Sequence, residues 1–451
     1  MNNVITLNLN ETDNENYINK KYTYNNNEYL IIKYNRNNLK KLENTENTEF
    51  DILSKFRSVI TRNNKVVAYS PPKSVSYKNF LDSNKNNIQN CWYEDFIDGT
   101  MINVFYDNIN SVWEISTKSS VGGNILFFND IKNYLHYFGN NSNDIDSSNL
   151  EYYKNITFRS MFFEACNQSN FNLETLDRRY SYTFVMQHPY NRIVTPITVP
   201  LIYLVKVYDI DNSNSPKISI SEINIHEFAN RIPQVFCNTN VCLVNKYPIA
   251  DFESIEKHVI ELPYFCVGYM LYDINGNRSK IRNERYEEVR KLRGNQPKLQ
   301  YTYLSLKKEG KIKEFLVFYP EHILLFNKFK LLVFEYTHNL FMNYVSCFIK
   351  KEKPLKEYEA KYKCHMYHLH QQYLNELKIN NKIIDKKFVI DYFNSLHPAQ
   401  QMFVINYNKH KNMEVEENNE EDDEYNVSQH DINININEIS NSMNSQEIIV
   451  E

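Results

Sequence analysis

Residues 285–298, RYEEVRKLRGNQPK, set Arg285, Arg290, Lys291, Arg293 and Lys298 along an amphipathic turn that stops at Gly294. Cations clustered in this way can neutralise a run of phosphates, which is the chemistry of a nucleic-acid backbone contact; the same pattern also serves as a solvated helix face. A second cluster, CHMYHLHQQY, puts His365 and His368 one helical turn apart, with Cys364 and His370 beside them. Imidazole at such spacing can ligate a metal, but no carboxylate or further cysteine completes the set, so helix-surface or RNA-facing histidines are expected. Cys237 and Cys242 have no matching second pair and read as small buried hydrophobes. Asp98-Gly99-Thr100 forms a tight turn feeding the apolar residues 101–105, which in isolation is a hairpin signal.

At 451 residues the chain can hold two domains with tails, and its net charge of −4 means that any nucleic-acid surface must be a local patch. Asn, Lys, Ile and Tyr are abundant and Gly is scarce at 8 residues, the mark of an AT-rich genome, so surface lysines and asparagine runs are discounted as functional signals. That style suggests a large DNA virus of an AT-rich host. The polar opening MNNVITLNLNETDNENY lacks the apolar core of a signal peptide, and no apolar run reaches the ~18 residues of a membrane span. Seven irregularly spaced cysteines fit a reducing compartment, so the expected location is cytoplasmic, in infected-cell cytoplasm or the virion if the source is viral.

Several elements must position these residues. Residues 1–50 read as an Asn-rich lead-in, loosely packed, with one or two short elements. From residue 51 to 305, short runs rich in β-branched and aromatic residues (VVAYSP, MINVFYD, VWEIST, YTFVMQ, LIYLVKVYDI, FCVGYMLYD) predict antiparallel strands. Between them NITFRSMFFEACNQ spaces Phe158, Met161, Phe162 and Ala165 as a helix does. An α+β domain is expected here. Residues 310–410 repeat apolar positions every three or four, punctuated by Pro320 and Pro354, and predict an all-helical domain; residues 411–451 are acidic and of low complexity, a disordered tail.

The order of the β-rich runs resembles the RNA ligases of the phage tRNA-repair type, within the covalent nucleotidyltransferase superfamily. The matching stretches span roughly residues 55–290: the Arg-led FRSVITRNNKVVAYSPPKSVSYKNF, the Asp98-Gly99-Thr100 turn, VWEISTKSSVGGN, then PYNRIV at 189–194, FCVGYMLYD, and SKIRN at 279–283. The resemblance implies a nucleotidyltransferase domain with ATP-grasp-like antiparallel sheets, followed by a helical domain. It also implies a lysine two residues before the aspartate, attacking the α-phosphate of ATP; here that position is Phe96, which has no nucleophilic atom. The carboxylates expected to hold the divalent cation fall where this chain has residues 181–184 (SYTF) and Val267. Glu94 and Asp95, just before Phe96, read as solvated residues leading into the strand.

The cationic positions survive. Asp98, Gly99, Lys118, Arg192, Lys280 and Arg282 are expected to face nucleotide or phosphate, and Arg285, Arg290, Lys291 and Arg293, which follow directly on the SKIRN strand, to face RNA. The resulting expectation is a degenerate, RNA-ligase-like protein that binds RNA or nucleotide without self-adenylylation and holds no metal. An active ligase or capping-type enzyme, with ATP and Mg as cofactors and a nucleophile relocated to Lys73, Lys78 or Lys118, is the first alternative. A scaffold, with Lys280 and Arg282 paired internally to carboxylates, is the second. A protein partner for the helical domain or the acidic tail is a further expectation.

Overall fold

A computed structural model describes residues 4–42, 48–138 and 150–408. The chain divides into two compact units, one of Met1–Ile131 with Asn143–Arg293 and the other of Lys132–Ser142 with Gly294–Glu451. The boundary therefore falls at 293/294 rather than between 305 and 310. The expected acidic tail lies outside the described residues.

The first unit is α+β and contains three sheets among its described residues. Its strands are β1 (Val4–Asn8), β2 (Tyr17–Tyr24), β3 (Asn27–Tyr34), β4 (Val59–Arg62), β5 (Lys65–Tyr69), β6 (Cys91–Asp95), β7 (Thr100–Asp107) and β8 (Val112–Ser116). They continue with β9 (Tyr180–Gln187), β10 (Leu201–Asp211), β11 (Lys217–Ile223), β12 (Cys242–Leu243), β13 (Lys246–Pro248), β14 (Gly268–Asp273) and β15 (Arg278–Arg282). The largest sheet has the order β1-β11-β10-β9-β7-β8, with β12 added in parallel beside β10; the others are β13-β6-β14-β15 and β2-β3-β4-β5.

The N-terminal residues are no loose lead-in. β1 closes the edge of the large sheet and β2 and β3 build half of another, with Leu7 and Ile31 buried. Isolated apolar residues in an Asn-rich background alternate correctly for strands: Leu30 and Ile32 point one way, Ile31 and Tyr29 the other.

One face of the large sheet makes the main core. Ile102, Val104, Ile115, Tyr182, Phe184, Met186, Ile202 and Leu204 pack against the helix Phe158–Gln168, whose Phe158, Met161, Phe162 and Ala165 are buried at the predicted spacing. Burying each large side chain of this kind contributes about 1.5–3 kcal/mol. Thr157 caps that helix and accepts from the Ser160 amide, while Ser160 returns a bond to the Thr157 amide.

The second unit is helical. Helix Ile323–Tyr344 buries Phe326, Phe329, Val333, Tyr336 and Leu340 at helical spacing and packs against helices Ala360–Gln372 and Lys386–Ser395. Pro320 opens the turn before that long helix and Pro354 lies in the connection after it. Among the described residues no helix is long and apolar enough to cross a membrane.

Candidate functional site

Alternation along the strands decides where polar side chains meet. In the four-stranded sheet of β6, β14 and β15, odd-numbered residues Cys91, Tyr93, Tyr269, Leu271 and Ile281 pack into an apolar core under helices Tyr77–Asn84 and Phe252–Glu261. The even-numbered residues Trp92, Glu94, Met270, Tyr272, Arg278, Lys280 and Arg282 therefore share the opposite face. The large sheet does the same: the face turned from its core carries Asn103, Ser181, Thr183, Lys206, Tyr208 and Glu222. The two polar faces meet in a seam.

Lys206 joins them. Its ammonium is 2.7 Å from Glu222 Oε1 and 3.7 Å from Glu94 Oε2, and lies 4.1 Å from the centre of the Tyr272 ring. Burial alone would lower its pKa, but Glu222, Tyr272 and Glu94 outweigh burial and hold it well above the ordinary value. Glu94 is thus buried at 8% exposure and paired, not a solvated residue leading into a strand. It also accepts from the Trp92 indole at 3.3 Å.

Lys280 stands in contrast. It is half-buried, and among the described residues no carboxylate lies within ion-pair distance of it. Burial first, then Arg282, Lys73, Arg57 and Arg278, push its pKa down to about 8. Arg57 is likewise lowered to about 10 by burial and by Arg278. Lys118 belongs to the same field: part of its length stays open to solvent and its ammonium rests 5.2 Å from the Tyr34 ring. Burial, Arg57, Lys33, Arg36 and Lys73 lower it to about 8. The segment carrying Lys73 is tied to β15, since the Val75 amide donates to the Arg278 carbonyl at 2.9 Å and Ser279 Oγ donates to the Val75 carbonyl at 3.0 Å.

Phe96 directly follows β6, donating its amide to the Gly268 carbonyl at 3.1 Å, and the Arg282 guanidinium lies 5.5 Å from its ring centre. Arg282 is held in turn by Glu287 at 2.6 Å. The positions that the resemblance assigns to metal ligands are neutral in their surroundings as well. Thr183 donates to Asn103, which donates to Ser70, in a buried chain of 3.0 and 2.8 Å bonds, and Val267 is buried.

Other predicted site residues have structural roles. The Asp98 carboxylate accepts from the Val194 and Thr195 amides at 3.0 and 2.9 Å and from the Tyr286 hydroxyl at 2.9 Å, which occupies both of its oxygens. Burial and then Asp98 raise the Tyr286 pKa. Gly99, at φ +151°, lets β7 lie against β9; a Cβ there would stand 2.5 Å from the Met186 carbonyl oxygen. The PYNRIV segment docks on the same turn through Asn191, which donates to Thr100 Oγ1 at 2.6 Å. Arg192 turns back on its own loop and donates twice to the Val194 carbonyl, at 3.1 and 3.0 Å.

The helix Glu284–Arg293 corrects one expectation. Arg285 and Lys291 are exposed and Arg290 is exposed but bound to Glu287, whereas Arg293 is 1% exposed, with its guanidinium 3.8 Å from the Phe128 ring centre and 2.6 Å from Asp130. Arg293 faces the interior because it falls on the helix side that carries Tyr286 and Val289. Of the histidines, His368 is exposed as a surface histidine should be, and the other two differ from expectation. His365 is buried, bonds the Tyr392 hydroxyl at 2.8 Å, and is lowered to about 4 by burial and then His368; His370 stacks 3.9 Å from Phe348. Among the described residues no group of three His, Cys, Asp or Glu could hold a metal ion. All seven cysteines are free, and Cys237 is exposed rather than buried.

Sequence reasoning missed Arg57 and Arg278. For Arg278 the signal was present: RSKIR places Arg278, Lys280 and Arg282 on one face of a strand.

No family model matches the chain, and no curated protein matches it. Among solved structures it is similar to an Aquifex aeolicus protein assigned as an ATP-dependent DNA ligase (12% identity, TM-score 0.33, covering 79% of this chain and 77% of that one). It is also similar to a Naegleria gruberi RNA ligase with pyrophosphate (11%, TM-score 0.32, 56% and 71%) and to an archaeal ATP-dependent RNA ligase (10%, TM-score 0.33, 64% and 62%).

Proposed function

We propose that this chain is an RNA-ligase-like protein of the phage tRNA-repair type that binds nucleotide or RNA ends at the seam and does not self-adenylylate at position 96. One observation carries the reading: cations converge on a seam whose nucleophile position is a phenylalanine packed beneath Arg282. An attacking amine must be present and deprotonated, and a ring of carbon supplies none. Lys118, Lys280 and Arg282 are the groups suited to phosphate, with Arg285 and Lys291 continuing the positive surface along the next helix.

ATP fits this donor set through its phosphates. A resident Mg²⁺ does not, because Glu94 and Glu222 share Lys206, and Glu287 holds Arg282 and Arg290.

An active enzyme with a relocated lysine is favoured by one observation, the lowering of Lys118 to about 8, which leaves an appreciable share of free amine near neutral pH. Lys78 is exposed on helix Tyr77–Asn84, which covers the apolar side of its sheet, and is the weakest of the three candidates. The scaffold reading requires both Lys280 and Arg282 to be paired internally with carboxylates; Arg282 is so paired, with Glu287, whereas among the described residues Lys280 has no such partner.

The deciding experiment incubates the full chain with magnesium and α-labelled ATP or GTP and resolves the products on a denaturing gel. No labelled protein, with RNA or nucleotide bound in a filter assay, is the expected result. An acid-labile, base-stable adduct would overturn the inactive reading and direct attention to Lys118 and Lys73. Absence of both label and binding would leave the scaffold.

A further inference from the structure

We infer that the seam binds a phosphate chain without a divalent cation, its charge being met by the side chains of Arg57, Lys73, Lys118, Arg278, Lys280 and Arg282. This inference rests on the reading that the seam is the ligand site, and it goes beyond that reading by specifying how the ligand's charge is neutralised.

Two independent observations support it. The first is the charge balance. Arg57, Lys118, Arg278 and Lys280 make no ion pair with any described carboxylate, and burial first, then the charges of their cationic neighbours, disfavour the charged forms of Arg57, Lys118 and Lys280. A like-charged cluster left uncompensated opposes folding, and an anion that binds only the folded state relieves it. The carboxylates nearest the cluster are already committed, Glu94 and Glu222 to Lys206 and Glu287 to Arg282 and Arg290. None of these three is free to bring a cation to the phosphates, and a hard divalent cation is held by oxygen ligands.

The second observation is an excess of donors. Arg278 Nε and Arg282 Nε are buried without an acceptor, as are the hydroxyls of Tyr69 and Tyr208, whose rings meet edge to face at 5.0 Å and which both feel the charge of Arg278. A guanidinium nitrogen can only donate, and a hydroxyl readily does. A site whose unmet groups are mainly donors calls for a ligand that is mainly acceptor, and a chain of phosphate oxygens is one.

The test is calorimetric titration of the full chain with inorganic tripolyphosphate and with ATP, in EDTA and again in magnesium. The expected affinity in EDTA equals or exceeds that in magnesium, because Mg²⁺ competes for the same oxygens. Tripolyphosphate should raise the melting temperature in EDTA, and Lys280→Met and Arg278→Met should each weaken binding by about tenfold or more, the effect of losing a charge-assisted contact. Lys280→Arg, which keeps the charge, should retain most of the affinity and separates loss of charge from misfolding. RNA carrying a 5′-triphosphate against the same RNA with a 5′-hydroxyl distinguishes an RNA end from a free nucleotide as the source of the chain. Binding that appears only with magnesium would overturn this inference and leave the functional reading standing. No binding of tripolyphosphate, ATP or RNA in either buffer would remove both.

Discussion

Arg282 lies over the ring of Phe96, its guanidinium carbon 5.5 Å from the ring centre, while Glu287 holds the guanidinium at 2.6 Å. A cation is thereby fixed beside the position where the resemblance expects an amine. Phe96→Lys would place an ammonium against that guanidinium. It should lose a cation–π attraction of about 0.5–1 kcal/mol and add like-charge repulsion, lowering the melting temperature. It should still produce no labelled protein with α-labelled ATP, because Glu94, Glu222 and Glu287 remain tied to Lys206, Arg282 and Arg290. A labelled Phe96→Lys protein would show that one substitution separates this chain from an active enzyme.

Asp98 accepts from two amides and one hydroxyl that come from two distant segments. Asp98→Ala should therefore act on stability first, by about 2–4 kcal/mol for orphaned buried donors, and lower the urea midpoint. If the variant unfolds at the wild-type urea concentration but loses nucleotide, Asp98 touches ligand rather than the fold.

The pH dependence follows from Lys280, which titrates at about 8 in the folded chain against an ordinary 10.5, because burial and its cationic neighbours disfavour the charge. Between those values the unfolded chain binds the extra proton, so the ligand-free protein should gain stability as pH rises from about 8 towards 10.5. A bound phosphate chain favours the ammonium. Binding should then take up protons near pH 8 to 9 and weaken above that range, as read by calorimetry in buffers of differing ionisation enthalpy. Lys280→Met should reduce the uptake, with Lys118 supplying the remainder. Affinity flat from pH 7 to 9 would place both lysines outside the site.

Gly268 has φ +122°, and a Cβ there would stand 2.2 Å from the Ile281 carbonyl oxygen across the β14–β15 pair. Gly268→Ala should cost about 2–4 kcal/mol from strain and overpacking, and shift Lys280 and Arg282 with the strand. Thermal unfolding by circular dichroism measures the first effect, and tripolyphosphate titration the second.

Along the helix Glu284–Arg293, Arg285→Ala and Lys291→Ala should each reduce the salt slope of RNA binding by about one unit while leaving stability unchanged. Arg293→Ala should instead lower stability, since it removes a buried guanidinium paired with Asp130 and packed on Phe128. Equal effects of all three on the salt slope would contradict the burial of Arg293.

Strands with clean alternation were legible in the sequence. β5, β7, β8, β9 and β10 coincide with the apolar runs, and helix Phe158–Gln168 with its spacing. β1 to β3 were not, because an Asn-rich background dilutes the apolar signal and the same compositional discount that guards against spurious lysines also hides real strands. Convergence was harder still. Arg57, Lys118 and Lys280 belong to separate segments of the chain, before β4, after β8 and within β15, and only the tertiary fold makes them neighbours. The burial of Arg293 depends on Asp130, 163 residues away, which no local pattern announces.

The bridge from Glu94 through Lys206 to Glu222 spans two sheets with its charges largely shielded from water. Pulling the sheets apart would strand three ions in a poorly polarisable interior, so the gap between them is fixed before any ligand arrives. The cost of orienting the binding groups falls on folding rather than on association, and the recognition surface is stiff by construction. Selectivity in such a surface shows in how slowly a well-matched ligand departs, and a poorly matched one finds no give in the walls.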